Sequence, residues 1–291
     1  RQRLASEVAL TSTTVRSVAE SADGTRKFLI GLADGECVET VLIPEGRRNT
    51  VCLSTQVGCA MRCTFCASGL RGLKRNLRPG EIVEQLLHVR RALKADERIS
   101  NVVYMGLGEP LANYDHVLKS IRILNADWGL GVGARKITIS TVGLPKPMAR
   151  LADEGLQVNL AISLHAPDDA TRNRLVPANR RVGLARVLEA ARDYVAKTGR
   201  EITFEYVLVD GVNCSAEAAR KLARLLRGVQ ANVNVIPCNP VPDIGLVPPR
   251  VAAVTAFVDA LRRAGVNVNL RKRRGDDISA ACGQLRLREA Q

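Results

Sequence analysis

Three cysteines stand within eight residues, in Cys59-Ala-Met-Arg-Cys63-Thr-Phe-Cys66. The C-x3-C-x2-C spacing brings three thiolates onto one loop, near enough to bind three corners of one inorganic cluster and to leave its fourth metal open. A structural zinc site takes four ligands, normally with a second Cys or His pair close by. A ferredoxin-type cluster fills all four iron positions with Cys. An incomplete cluster on a loop after an apolar strand therefore points to an iron that holds a substrate or cofactor; the bland alternative is three incidental thiols. The remaining five of the eight cysteines (Cys37, Cys52, Cys214, Cys238 and Cys282) are scattered. A disulfide framework belongs to short secreted chains, so clustered thiols in a chain of this length fit metal or redox chemistry in a reducing, cytoplasmic setting.

The elements that must carry this loop are legible as alternation. Residues 14 to 43 read as a small β meander, with strands at Val15 to Ser21, Lys27 to Leu32 and Cys37 to Ile43 joined at Asp23-Gly24 and Asp34-Gly35, strong hairpin signals. Apolar strands then recur near Val51 to Thr55, Asn101 to Gly106, Lys136 to Ser140, Val158 to Ser163, Ile202 to Val209, Asn232 to Pro237 and Val266 to Leu270. Helix-period segments lie between them, such as Ile82, Val83, Leu86 and Leu87, or Val251, Val254, Val258 and Leu261. Six βα units in series mean an α/β protein with a parallel sheet, doubly wound or curled into a barrel. Polar residues directly after successive strands (Gly108-Glu109-Pro110, Ser140-Thr141, Ser163-Leu164-His165, Asp210-Gly211, Asn239-Pro240) favour the barrel.

The 291 residues carry 43 Lys+Arg against 29 Asp+Glu, a net +14, which predicts attraction to a polyanion. The runs Arg71 to Arg78 and Arg271 to Arg274, with Asn179-Arg180-Arg181, are candidates for phosphate contacts. Aromatics are only 3%, which argues against a broad base-stacking platform. No run of about 18 apolar residues occurs, so no membrane-spanning helix is expected.

The cysteine spacing, with Phe65 before the last Cys, resembles the radical S-adenosylmethionine (SAM) superfamily. The resemblance narrows with Val51 to Cys59, Gly80 to Gln85, Gly106 to Leu111, Ile137 to Gly143, Leu160 to Pro167, Asp210 to Asn213 and Ala280 to Leu285, which together look like the RlmN/Cfr family of RNA adenine methyltransferases. The resemblance implies a partial (β/α)6 barrel over residues 46–291, preceded by the meander at 1–45 that remains after an accessory RNA-binding domain. It implies a [4Fe-4S] cluster on Cys59, Cys63 and Cys66, and two SAM molecules per turnover, one bound to the open iron. Cys282 would be methylated and Cys52 would be its partner, taking a proton and forming a transient disulfide with it. Basic neighbours at Arg47, Arg48 and Arg271 to Arg274 are expected to depress the thiol pKa that this proton transfer needs.

By the same resemblance Gly108, Glu109, Ser140, Ser163, Leu164, His165 and Asn239 contact SAM, and Glu39 is a proton acceptor near the base. Each has a plainer reading: helix caps for the serines, a strand-end hydrogen bond for His165, a turn for Asn239, a solvated hairpin face for Glu39. The implied substrate is an adenosine of 23S rRNA and/or tRNA, extruded into the barrel mouth and methylated at C2; a Cfr-like reaction at C8 is the alternative, and a non-catalytic, metal-dependent RNA-binding protein the rival from another class. The implied partners are an electron donor such as flavodoxin and no membrane, with the chain a monomer. His88, His116, Cys37, Cys214 and Cys238 receive no role.

Overall fold

The computed structural model describes residues 11–241 and 244–285. Its main sheet has ten strands. The meander supplies β1 (Thr14–Glu20), β2 (Arg26–Gly31) and β3 (Cys37–Glu45), all antiparallel. The Asp-Gly turns form where expected, with Gly24 and Gly35 at positive φ. β3 pairs antiparallel with β4 (Arg48–Cys52), so the meander is continuous with the parallel part of the sheet across residue 46.

From β4 onward every main-sheet neighbour is parallel: β7 (Asn101–Tyr104), β8 (Ile137–Thr141), β9 (Asn159–Ser163), β10 (Ile202–Leu208), β11 (Ala231–Pro237) and β12 (Asn267–Leu270). Their order in space is their order in sequence, with no reversal. A doubly wound sheet needs such a reversal; without one, right-handed crossovers place every helix on the same face and the sheet curls. Among the described residues β12 pairs only with β11, so the barrel stays open, matching the expected partial (β/α)6 architecture.

Six connections carry the helices: α1 (Pro79–Arg91), α2 (Tyr114–Asn125), α3 (Pro145–Asp153), the group α4 (Asp169–Leu175), α5 (Asn179–Val182) and α6 (Leu184–Thr198), then α7 (Ala216–Leu225) and α8 (Val251–Arg263). α1 starts with Pro at its first turn and Glu81 returning to the Arg78 amide, satisfying donors that a helix start leaves open. Ile82, Leu86 and Val89 on α1, and Val254, Phe257, Val258 and Leu261 on α8, bury the apolar faces read from the spacing. They pack with the outward residues of the strands, among them Val102, Tyr104, Leu160, Ile162, Phe204 and Tyr206, in one core.

Two elements lie outside the expected list. β5 (Gln56–Gly58) and β6 (Leu73–Asn76) form a separate antiparallel pair that brackets the cysteine loop. Gly58 stands there at φ +79, and a Cβ on it would lie 2.0 Å from the Gly72 carbonyl. The alternation signal is too short over three and four residues to be read.

Candidate active site

The strands alternate in an informative way. On β8, β9, β10 and β11 the residues facing inward include Thr138 and Ser140, Asn159 and Ser163, Thr203 and Glu205, and Asn232 and Asn234, together with Ala161, Val207 and Ile236, all lining one cavity of about 630 Å³. A closed barrel fills its axis with layers of branched apolar side chains. This one keeps a mixed interior of polar and apolar side chains, wide enough for a cofactor-sized molecule.

The cysteine loop closes the carboxyl end of that cavity. Cys59, Cys63 and Cys66 all line it, with Arg62 turned to φ +55 between the first two. The Phe65 ring lies 4.6 Å from the His165 ring, edge to face. Burial raises the pKa of each thiol, Cys59 to about 12, and for Cys59 and Cys63 the neighbouring thiols push further in the same direction. Holding three thiolates together therefore requires positive charge between them, as a metal centre supplies. Among the described residues no three His, Cys, Asp or Glu side chains close on one point as ligands of a single ion. The donors are sulfur alone, a soft set that suits iron–sulfur binding.

Glu109 follows Gly108 at the end of β7. Gly108 has φ +102, and a Cβ there would lie 2.6 Å from Gln56 Cβ, so only glycine fits the turn. Gln56 accepts the Glu109 amide at 2.8 Å. The Glu109 carboxylate accepts from Leu111 N at 3.1 Å and Val142 N at 2.8 Å; burial nevertheless raises its pKa to about 7. An ammonium group entering the cavity would favour its ionised form.

His165 has φ +58, a conformation held by its own amide and that of Leu164 donating to Glu205 O. Val207 N donates to His165 Nδ1 at 3.1 Å, which leaves the proton on Nε2. Burial, reinforced by Arg172, lowers its pKa to about 3, so the ring is neutral. Asn239 lines the cavity and donates through Nδ2 to Cys282 O at 2.9 Å, while its buried Oδ1 has no protein partner. A buried acceptor left open in a polar cavity is a place for a ligand donor. With the acid at Glu109 and the sulfur set above, the residues present fit a cluster with SAM.

Ser140 and Ser163 face the cavity and cap no helix: α3 is preceded by Leu144 and α4 by Asp168. Leu164 departs from its expected place, because the side chain following an inward residue on a strand points outward. It sits wholly in the core, and its N and O are taken by Glu205 O and Arg172 Nε.

The two isolated cysteines converge on the same space. Cys52 ends β4, and Cys282 reaches the cavity on the segment after β12. Ala67 N donates to Gly283 O at 2.7 Å, docking that segment on the cysteine loop. The expected low thiol pKa is not present. Burial drives Cys52 to about 12, and the nearby Cys282 adds to it; Arg47 and Arg48 stand at the far end of β4, roughly 13 Å away at strand rise. Cys282 is exposed at the cavity wall; desolvation by the surrounding walls still raises its pKa, with Arg271 opposing.

Glu39 is the other correction. The hairpin face it occupies is covered rather than solvated: Glu39 is 1% exposed, pairs with Lys27 Nζ at 3.1 Å and is not among the residues lining the cavity. The basic runs divide as well. Lys74 and Arg75 are held by Glu36 and Asp34 of the meander turn, Asn179 is buried against Arg172, and Arg271 faces the cavity, whereas Arg180 and Arg181 are exposed.

Arg172 is the site residue that sequence reasoning missed. Almost fully buried, it donates to the carbonyls of Val142, Ser163 and Leu164 and to Asn179, fixing the ends of β8 and β9. An arginine on an amphipathic helix gives no sign of pointing inward; only the Asn179 in the next short helix hints at a partner.

A partial barrel with three thiols and an acidic Gly-Glu-Pro turn at its carboxyl mouth defines the class of radical SAM enzymes. The profile of the Radical SAM superfamily matches residues 53–223. A protein of Rhodopirellula baltica named "Probable dual-specificity RNA methyltransferase RlmN" is 51% identical over 286 residues, 98% of this chain and 77% of its own length. One of the same name from Geobacillus thermodenitrificans is 49% identical over 290 residues, covering 99% and 80%. The crystal structure of a radical SAM methyltransferase from Sphaerobacter thermophilus superposes with a TM-score of 0.95 at 48% identity, over 98% of this chain and 84% of that one. Spore photoproduct lyase, 16% identical with a TM-score of 0.54, shares the fold alone. The chain belongs to the RlmN/Cfr family of radical SAM RNA methyltransferases.

Proposed function

We propose that this protein methylates C2 of an adenosine in 23S rRNA and/or tRNA by way of a methylated Cys282. The observation that carries the reading is the convergence of Cys52 and Cys282 on the cavity that also holds Cys59, Cys63, Cys66 and Glu109. Ring carbon C2 of adenine is electrophilic, so a direct displacement by it on the SAM methyl group fails.

Cys59, Cys63 and Cys66 would hold the cluster, and Gly108, Glu109, Ser140, Ser163, His165 and Asn239 would hold SAM. When bound, the pair supplies one-electron cleavage of SAM to a carbon radical that takes hydrogen from a methyl group. Cys282 presents that methyl group as a thioether at the cavity wall. Cys52 faces it and, as a thiolate, takes the proton from the ring carbon. Deprotonated again, it attacks the Cys282 sulfur; the S–CH2 bond to the base breaks, and that carbon picks up a proton and stays on the base as its methyl group. The Cys52–Cys282 disulfide so formed is reopened by a reductant. Burial raises the pKa of Cys52, so it accepts the proton readily once it is a thiolate. Glu39 acts as proton acceptor only if it leaves Lys27. An electron donor such as flavodoxin serves the cluster, and the chain acts as a monomer in the cytoplasm.

The test is anaerobic reconstitution with SAM, a reductant and unmodified 23S rRNA fragment or tRNA, followed by digestion and mass spectrometry of the nucleosides. 2-Methyladenosine is expected from the parent and none from Cys282→Ala. 8-Methyladenosine would instead assign the Cfr-like reaction, and methylation by Cys282→Ala would end the thioether route.

A further inference from the structure

The segment that carries Cys282 has little secondary structure of its own, yet it must present one thiol to another across a cavity. Its ties lead to the meander. Lys27 Nζ, on β2, donates to Ser279 O at 3.0 Å and pairs with Glu39 at 3.1 Å. Ser279 stands at φ +51, a conformation unfavourable for a non-glycine residue unless its surroundings impose it. At the β1–β2 turn, Asp23 accepts Gly275 N at 3.1 Å and Asp277 accepts Ala22 N at 3.2 Å.

Register explains the placement. Lys27 opposes Val41 across β2 and β3, and Val41 opposes Cys52 across β3 and β4. Directly opposed residues share a face, so Lys27, Val41 and Cys52 form one row, with Lys27 two strands, about 10 Å, from Cys52. Glu39 lies two residues along β3 from Val41, on the same face. The sheet that fixes Cys52 thus also fixes the ammonium that holds Ser279, three residues before Cys282. A buried ion pair contributes little net stability compared with an apolar pair of the same shape; what this one adds is direction.

We propose that Lys27, oriented by Glu39, is a positioning residue that holds the Cys282 segment at the height where Cys282 meets Cys52. This rests on the pairing of those two cysteines given under the proposed function. It gives the meander a part in the reaction and gives Glu39 a role in its observed place.

The test uses cofactor-free protein, so that cluster content and turnover do not enter. Reduced protein is exposed to oxidised dithiothreitol, and the Cys52–Cys282-linked peptide is quantified over time by mass spectrometry, with Tm as a control on folding. The parent should form the link. Lys27→Met should form it about tenfold more slowly, the scale of a small misplacement of reacting groups, and Lys27→Arg should recover most of the rate. Lys27→Gln keeps a donor without the charge or reach and should also be slow; it serves if Lys27→Met does not fold. A folded Lys27→Met or Lys27→Gln that links as fast as the parent overturns the proposal. A parent that never forms the link overturns instead the cysteine pairing on which it rests.

Discussion

Single positions carry much of this site. Gly283, next to Cys282, has φ +83, and a Cβ there would lie 2.9 Å from the Phe65 carbonyl. Gly283→Ala is expected to cost about 1–3 kcal/mol in backbone strain, seen as a lowered Tm, and to move Cys282 off the cysteine loop, seen as slower methylation of Cys282. His165 sets a pH dependence. Its folded pKa of about 3 lies below its ordinary 6.5, so the unfolded chain takes up a proton that the folded chain refuses. The stability it contributes is complete above 6.5 and is lost as the pH falls toward 3. Urea unfolding of the cofactor-free protein at about pH 7 and about pH 4 should show a smaller pH difference for His165→Asn than for the parent. An unchanged difference would mean that the ring protonates in the fold.

Elements act here through their ends. The strands place Ser140, Ser163 and Glu205 on inward positions, but Arg172 from α4 fixes where β8 and β9 stop, through the carbonyls of Val142, Ser163 and Leu164. Arg172→Met leaves those buried acceptors open and should lower the unfolding free energy by about 2 kcal/mol or more, measured by urea titration. It should also weaken SAM binding, because the Ser163 and His165 turn loses its support. The strand–helix alternation was legible because each connection is long enough to show its period. The β5 and β6 pair was not, since three or four residues carry no period, and its existence depends on Gly58 meeting the Gly72 carbonyl from far along the loop.

At the scale of the whole molecule the charge of +14 should govern encounter with RNA. Affinity should fall steeply with salt, and Ala at both Arg180 and Arg181 should reduce the slope of log K against log salt by about 1 for each phosphate that these arginines neutralise. A slope identical to the parent's, measured by filter binding across salt, would move the RNA to another face. Lys74 and Arg75, already held by acids of the meander, should contribute less than their number in the sequence suggests.

Local signals in the chain were enough for the cysteine triad, the succession of βα units and the Gly-Glu-Pro turn, whereas the candidate pair Cys52 and Cys282 came from the family resemblance. Each of those signals is short-range: spacing on one loop, periodicity in one segment, a glycine where the turn admits nothing larger. The polar alternation in Asn159 to Ser163 and Asn232 to Asn234 is a further local clue to the cavity, since these strands would be continuous apolar runs if both faces were packed. Only the assembled fold settles that Glu39 is covered and paired with Lys27, that Leu164 turns into the core, that Arg172 points inward, that burial raises the Cys52 thiol with no arginine beside it, and that the Cys282 thiol is raised despite Arg271. Burial and pairing depend on what arrives from elsewhere in the chain. For Glu39 the arriving partner is a lysine twelve residues earlier, which in turn holds Ser279 of the segment beginning at Gly275, and no local pattern announces either.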